Sequence, residues 1–221
     1  MTFIHQAILM ATILVASSAL YQIRKWQHST ARKHSSNIYH SVAFSVLGLA
    51  SLLLAWFGWG ILGIMGDGAS NKLVAIISSL IPFSWAIGLI SRFYPKAEKI
   101  FFGILLFGLI LITGTRFMDL PLMSRIVYPV FHSTAAIVVI SIPVISYIKG
   151  LVKLPYLWVS VGGALISMGG ISLAFLSAGK QLLFFSTDFV LLIFAPLLFV
   201  TTATYLWGLT LGEKDEGSAR S

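Results

Sequence analysis

Three polar residues of one apolar segment are the first candidates for chemistry in this sequence. Arg125, Tyr128 and His132 belong to the stretch RIVYPVFHSTAAIVVISIP, residues 125–143, and their spacing places them on one face of a helix. Imidazole changes charge near neutral pH, so His132 is a candidate proton- or ligand-responsive group. Its side chain is too short to reach water from within an apolar span. A neutral histidine bonded to a hydroxyl or a carbonyl is therefore the competing interpretation.

Further ionisable residues are expected near the same ends of the helices. RFMDLP contains Arg116 and Asp119, and STD contains Asp188 before the last apolar run. The competing interpretation of each aspartate is a helix N-cap, and that of each arginine is contact with lipid phosphates. Together these residues predict an outward-facing polar pocket, in which the arginines would attract an anionic solute or headgroup. The predicted binding residues are His132, Arg125, Arg116, Asp119, Asp188 and Tyr128.

The sequence lacks the residues that most catalytic and cofactor sites require. The chain has no cysteine, which excludes disulfides, thiolate metal sites, iron–sulfur clusters and c-type haem. It has neither the HExxH pattern of zinc hydrolases nor the GxSxG pattern of serine hydrolases, and its last span has no lysine to hold retinal. A b-haem needs two histidines at one depth, whereas His40 and His132 are predicted near opposite ends and His5 is offset from His132. Haem b therefore stays an alternative, and no cofactor or metal is assigned.

The composition predicts that lipid, rather than water, is the main solvent of this chain. Of the 221 residues, 57% are hydrophobic and only 10% are charged, and the mean hydropathy is +0.93. Soluble domains carry about 25% charged residues, so too few charges are present to cover a water-facing surface. One membrane domain, residues 1–211, accounts for the length, and a polar cytoplasmic tail follows at 212–221.

Seven stretches are apolar over about the 20 residues that a membrane-crossing helix requires. The predicted fold class is therefore all-α, a polytopic integral membrane protein with a seven-helix transmembrane bundle. A duplication of three spans around a linker span would suit this number, but the two halves share no recognisable motif, so no repeat is predicted. The predicted spans are 3–23, 39–63, 72–91, 100–115, 122–148, 156–178 and 188–211.

The distribution of basic residues predicts the orientation. With the amino terminus outside, eleven of the fifteen lysines and arginines fall in cytoplasmic loops and the carboxyl-terminal tail. The net charge of +8 thus marks topology and a contact with anionic lipid headgroups at the inner loops; it does not indicate nucleic acid. The first span lacks preceding positive charge and is expected to be retained as an anchor. The expected location is a plasma membrane or a bacterial inner membrane.

Glycines and prolines in the spans have structural interpretations. Gly162, Gly163, Gly169 and Gly170 lie on one face of the sixth span and predict close packing with neighbouring helices. Each proline inside a span removes an amide donor and predicts a kink. These prolines are Pro82, Pro129, Pro143 and Pro196.

Three classes of function remain open on the sequence. The leading hypothesis is a non-catalytic small carrier, sensor or membrane-complex subunit whose pocket is built around His132. The second is a redox subunit that binds b-haem or quinone. The third is a lipid-modifying enzyme, for which the pair of Asp119 or Asp188 with His132 is the minimum equipment. Expected partners are the lipid bilayer and other membrane proteins.

Overall fold

The computed structural model describes residues 1–29, 34–62, 66–118, 120–177 and 186–213. In these ranges the regular secondary structure is entirely helical, and seven helices are long and apolar enough to cross a membrane. The prediction of an all-α chain with seven apolar spans is thereby confirmed. The helices are α1 (Phe3–Gln27), α2 (Ser36–Phe57), α3 (Gly66–Phe93), α4 (Glu98–Phe117), α5 (Pro121–Ile148), α6 (Leu157–Ser177) and α7 (Thr187–Gly212).

The second helix ends earlier than its apolar pattern predicts. The sequence predicts a span to residue 63, but α2 ends at Phe57 because Gly58 takes a left-handed conformation with φ of +67°. Glycine adopts this conformation without a Cβ clash, and its N–H donates to the carbonyl of Leu54 at the helix end. Hydrophobicity does not report such a change of backbone, and the apolar span itself, Ser36–Gly60, agrees with the predicted one to within three residues at each end.

Alternating helix directions give the bundle two chemically different ends. The end at which α1, α3, α5 and α7 finish is called the basic end below, and the opposite end is called the amino-terminal end. The unequal charge of the two ends is the feature from which the orientation was predicted. The basic end holds Arg24, Lys25, Arg92, Lys96, Lys99, Lys149 and Lys153.

Six helices form a ring, and α4 lies outside it. In this ring α1 packs against α2 and α7, α3 packs against α2 and α5, and α6 packs against α5 and α7. Two further pairs, α3 with α6 and α2 with α7, touch across the ring. The helix α4 packs mainly against α3 and α5. The ring therefore closes through α1 and α7, with α4 as a connecting helix.

The helices on either side of α4 correspond to each other at a spacing of 120 residues. Adding 120 to the bounds of α1, α2 and α3 gives the bounds of α5, α6 and α7 to within two residues. The packing pairs correspond as well, since α2 contacts α1, α3 and α7 while α6 contacts α5, α7 and α3. The duplication for which the sequence shows no recognisable motif is therefore indicated by the helix bounds. The chain from α1 to α3 is called the first unit below, and the chain from α5 to α7 the second unit.

A pair of corresponding glycines shows why the sequence hides this repeat. A Cβ built at Gly88 in α3 would lie 3.3 Å from the Cβ of Tyr39 in α2. One built at Gly208 in α7 would lie 2.5 Å from Cγ2 of Val159 in α6. Both glycines and both neighbours are 120 residues apart. The close approach of the helices is kept while most side chains differ, because packing in an apolar bundle accepts many residue types.

Candidate functional site

His132 lies inside the bundle, in the half toward the amino-terminal end. Its side chain is 2% exposed, and its ring stacks on that of Tyr128 with a centroid distance of 5.2 Å. On the facing helix α6, Gly170 leaves room for the imidazole, since a Cβ built there would lie 2.8 Å from Nε2. One glycine of the predicted packing face thus makes the position of His132 possible.

Tyr128 connects His132 to two other helices. The guanidinium of Arg116 in α4 lies 5.9 Å from the centroid of the tyrosine ring, a distance that allows cation–π attraction. The hydroxyl oxygen of Tyr128 is 3.5 Å from Oγ of Ser78 in α3, at the outer limit of a hydrogen bond. The structure therefore brings three of the predicted residues together. His132, Tyr128, Arg116 and Ser78 are called the His132 cluster below.

The other predicted binding residues lie apart from this cluster or outside the described ranges. Arg125 and Asp188 are exposed, and neither forms a hydrogen bond or an ion pair with a described residue. Asp119 lies outside the described ranges. The N-cap prediction for Asp188 is wrong: the extended backbone of Ser186 lets its Oγ accept a hydrogen bond from the Phe189 N–H at 3.2 Å. Asp188 lies in the first turn of α7 instead.

Neither ring nitrogen of His132 has a hydrogen-bond partner among the described residues. The nearby hydroxyl of Thr134 donates instead to the carbonyl of Val130 in its own helix, at 2.8 Å. The facing residue, Gly170, has no side chain that could bond the imidazole. The interpretation of His132 as a histidine bonded to a hydroxyl or a carbonyl is therefore not supported.

His5, at the amino-terminal end, differs from His132 because both of its ring nitrogens have partners. Nδ1 lies 2.8 Å from the hydroxyl of Thr2 in a capping box at the start of α1. Nε2 lies 3.0 Å from the carbonyl oxygen of Leu192, and this contact ties α1 to α7. His5 thus stabilises the ring of helices. Its nitrogens are not available as axial haem ligands beside His132.

A second buried polar cluster lies in the half of the bundle toward the basic end. The rings of Trp85 in α3 and Tyr205 in α7 stack at a centroid distance of 3.9 Å, and the ring of His40 in α2 lies 4.6 Å from that of Trp85. All three side chains are at most 2% exposed. His40, Trp85 and Tyr205 are called the aromatic stack below. Because Trp85 belongs to the first unit and Tyr205 to the second, the stack lies between the units.

The polar atoms of the aromatic stack have no hydrogen-bond partners in the described part of the chain. These atoms are Nε2 of His40, Nε1 of Trp85 and the hydroxyl oxygen of Tyr205. Oγ1 of Thr201, one turn from Tyr205 on the same face of α7, also has none. Most buried polar side-chain atoms in proteins are paired. Four unpaired atoms around one stack are what a binding site for a polar molecule presents.

Sequence reasoning missed the aromatic stack because it judged each residue by its place in a single span. His40 lies near a span end, and neither Trp85 nor Tyr205 is among the predicted binding residues. The repeat is the signal that could have found them. The segment SWAIGL at 84–89 has TYLWGL as its counterpart at 204–209, with an aromatic ring and a glycine at the same places.

The two units also touch near both ends of the bundle. Toward the amino-terminal end, the ring of Trp59 in the first unit lies 6.0 Å from that of Phe194 in the second. At the basic end, the rings of Phe93 in the first unit and Tyr156 in the second are 5.8 Å apart. The aromatic stack and His132 lie between these two contacts along the axis of the bundle.

Comparisons with known proteins do not assign the chain to a family. No family model, curated protein or solved structure matches it. Within the described ranges, no three histidine, aspartate or glutamate side chains come together as a metal site.

Proposed function

We propose that this protein is a small-solute carrier of a plasma membrane or a bacterial inner membrane, with its amino terminus outside and its basic end in the cytoplasm. The observation that carries the proposal is the pair of corresponding three-helix units with unpaired polar side chains between them. Parallel repeats occur in several carriers, whose solute sites lie at the interface between the repeats. In this orientation anionic headgroups contact the basic end, and the exposed Arg125 reaches headgroups on the other side.

The unpaired polar atoms favour a carrier over a static subunit. His40, Trp85, Tyr205 and His132 all present buried hydrogen-bonding atoms that lack partners among the described residues. In a static bundle each such atom lowers the stability by about 1–3 kcal/mol, and apolar residues of similar size avoid that loss. In a carrier, these atoms instead form hydrogen bonds with a solute that has lost its hydration shell. The hydrogen bonds that these atoms form with the solute then contribute to the driving force for binding.

The contacts near the two ends are suited to alternating access. Opening toward the outside separates Trp59 from Phe194 and keeps Phe93 against Tyr156, and opening toward the cytoplasm does the reverse. Edge-to-face aromatic pairs of this kind contribute about 0.5–1.5 kcal/mol each. A solute needs only a modest difference in affinity between the two forms to shift such an equilibrium.

The alternative functions have less support from the described residues. A lipid-modifying enzyme needs a carboxylate beside His132, and Asp188 is exposed and forms no hydrogen bond to it. A b-haem subunit needs a second free imidazole at the depth of His132, and both nitrogens of His5 are engaged.

Accessibility of single cysteines tests the carrier directly, since the chain has no native cysteine. Thr201→Cys places a thiol at a fully buried position one turn from Tyr205. In membrane vesicles of both orientations, we expect it to react with a membrane-impermeant maleimide from either side. The matched control is Ala16→Cys, which is equally buried but packs against Gly48 inside the first unit. We expect this control to react from neither side.

A cross-link distinguishes alternating access from a permanent pore. A short bifunctional thiol reagent should join a Trp59→Cys and Phe194→Cys pair across the units at the amino-terminal end, where the two native rings lie 6.0 Å apart. The cross-link should abolish labelling of Thr201→Cys from outside and preserve labelling from the cytoplasm. Labelling from neither side in the unlinked protein would contradict a carrier and favour a rigid subunit, and labelling from one side only would favour a sensor.

A further inference from the structure

We infer that the aromatic stack is the solute site of this carrier, and that it takes a neutral molecule with a flat heteroaromatic ring. The inference rests on the proposed function, because the site opens only if the two units move apart. It adds the location of the solute site and the chemical class of the solute. Both follow from the ring orientations, the unpaired polar atoms and the lack of charge at His40, Trp85 and Tyr205.

The shape of the site follows from the orientation of the rings. The planes of Trp85 and Tyr205 are tilted by 26°, and those of His40 and Trp85 by 35°, so rings from three helices overlap face to face in sequence, with the closest alignment between Trp85 and Tyr205. When the units separate, Trp85 and Tyr205 part, since they belong to different units. A flat ring that enters between them replaces the stacking that each ring has lost. A puckered ring has no π face, so it cannot replace the ring–ring stacking that Trp85 and Tyr205 have lost.

The hydrogen-bonding groups of the site require polar atoms on the solute. His40 and Tyr205 each offer an atom that donates or accepts, Trp85 offers a donor, and Thr201 adds a hydroxyl from the next turn of α7. A hydrocarbon ring would stack but would leave these buried atoms unpaired. A heteroaromatic ring carries nitrogen and oxygen atoms along its edge, and stacking with edge hydrogen bonds is how proteins read such rings.

The charges around the site favour a neutral solute. The stack contains no acidic or basic side chain other than the imidazole. Among the described residues, Arg92 is the charged group that acts electrostatically on His40, and Arg92 already has a partner of its own. Burying an ion without an opposite charge is strongly unfavourable. Neither a free carboxylate nor a free ammonium group on the solute would be compensated here.

Glycines in α3 and α6 make room for the rings of the aromatic stack, which supports a binding site at this position. A Cβ at Gly88 in α3 would lie 2.6 Å from Nε2 of His40. A Cβ at Gly162 in α6 would lie 2.8 Å from Cδ1 of Tyr205 and 2.7 Å from Oγ1 of Thr204. A side chain at either glycine would displace a ring of the stack.

Equilibrium binding to the purified full-length protein tests this site, with adenine and uracil as probes. The comparison solutes are D-glucose, which is neutral but puckered, and benzoate, which is flat but charged. We expect saturable binding of adenine or uracil and at least roughly tenfold weaker binding of the other two. Tyr205→Phe keeps the ring and removes only the unpaired hydroxyl, so it should weaken probe binding about five- to tenfold, as expected for one hydrogen bond. Its melting temperature should match or exceed that of the unaltered protein, because the hydroxyl has no partner to lose.

The matched control is Tyr21→Phe, at a tyrosine that is 68% exposed on α1, and it should leave the affinity unchanged. Equal affinity of the Tyr205→Phe variant and the unaltered protein would overturn the site, and tighter binding of D-glucose than of either probe would overturn the chemical class. If none of the four solutes binds, this inference fails, while labelling of Thr201→Cys still decides for or against a carrier. If uracil binds but Thr201→Cys reacts from neither side, the site stands and the carrier does not.

Discussion

Trp85 and Tyr205 are corresponding residues of the two three-helix units, 120 positions apart, and their rings stack on each other at 3.9 Å. Equivalent groups of two repeated units touch only where they lie beside the axis that relates the repeats. The stack therefore marks the centre of the interface between the units. Any movement of one unit against the other must change this contact, which couples the architecture of the chain to the site proposed for the solute.

The orientation can be tested with reporter fusions or with single cysteines. The basic residues should hold their loops in the cytoplasm, because positively charged loops are retained on that side. A single loop found on the wrong side would contradict the seven-span topology. Positions 24–37, 92–99 and 149–153 should be cytoplasmic, and positions 66–72, 116–124 and 179–186 should be external.

Gly170→Ala tests the close approach of α6 to His132. The added Cβ would lie 2.8 Å from Nε2, so we expect the free energy of unfolding to fall by about 1–3 kcal/mol. Gly114→Ala is the control, because its Cβ would meet nothing within 4 Å and alanine is the better helix former. Adding His132→Ala to Gly170→Ala should recover most of the loss. A double variant as unstable as the sum of the two single variants would show that the two residues do not interact.

The sequence was sufficient for the helices but not for their pairing. In lipid, seven long apolar stretches with few charges are expected to form helices, because every backbone N–H and C=O group must form its hydrogen bond within its own segment. The α-helical end of α2 at Phe57 depends on the left-handed conformation of Gly58, which hydropathy does not describe. The repeat was missed because few residue types recur, although the spacing of 120 residues was present in the sequence.

The candidate sites were predictable only where they depend on one helix. The contact of Tyr128 with His132 follows from a four-residue spacing on α5, and it is present. Contacts between helices depend on how each helix is rotated in the bundle, which periodicity in an almost wholly apolar span does not specify. Arg125 shares the helix face with Tyr128 and His132, but it lies near the start of α5, at the end of the bundle, where its side chain is exposed.

Pro143→Ala tests whether the proline of α5 is needed for stability or for movement. The corresponding residue of α1 is Ile23, so the first unit builds the same turn without proline. Alanine restores a donor for the carbonyl of Val139, and we expect the melting temperature to hold or to rise. If the kink serves movement, labelling of Thr201→Cys should fall while stability does not. Pro129→Ala, at an exposed position of the same helix, is the control, and a loss of both properties in Pro143→Ala would contradict a role in movement.

The two histidines toward the amino-terminal end should respond in opposite ways to the same substitution. His5→Leu removes the partners of Thr2 and Leu192, so it should lower the free energy of unfolding by about 1–2 kcal/mol. His132→Leu removes no hydrogen bond to a described residue, so its stability should be unchanged or higher. A large destabilisation by His132→Leu would show that its nitrogens have a structural partner after all.

His132→Gln then tests whether this histidine responds to protons. Imidazole normally changes charge near neutral pH, whereas the glutamine amide, which is similar in reach, does not. Labelling of Thr201→Cys should vary between about pH 4 and pH 8, after normalisation to a cysteine at the exposed Leu151. Among the groups facing His132, Tyr128 and Arg116 do not titrate in this range in their ordinary states. We therefore expect His132→Gln to abolish the variation while leaving the melting temperature near its original value. Variation that persists in His132→Gln would assign the response to another residue and leave His132 as a packing group of α5.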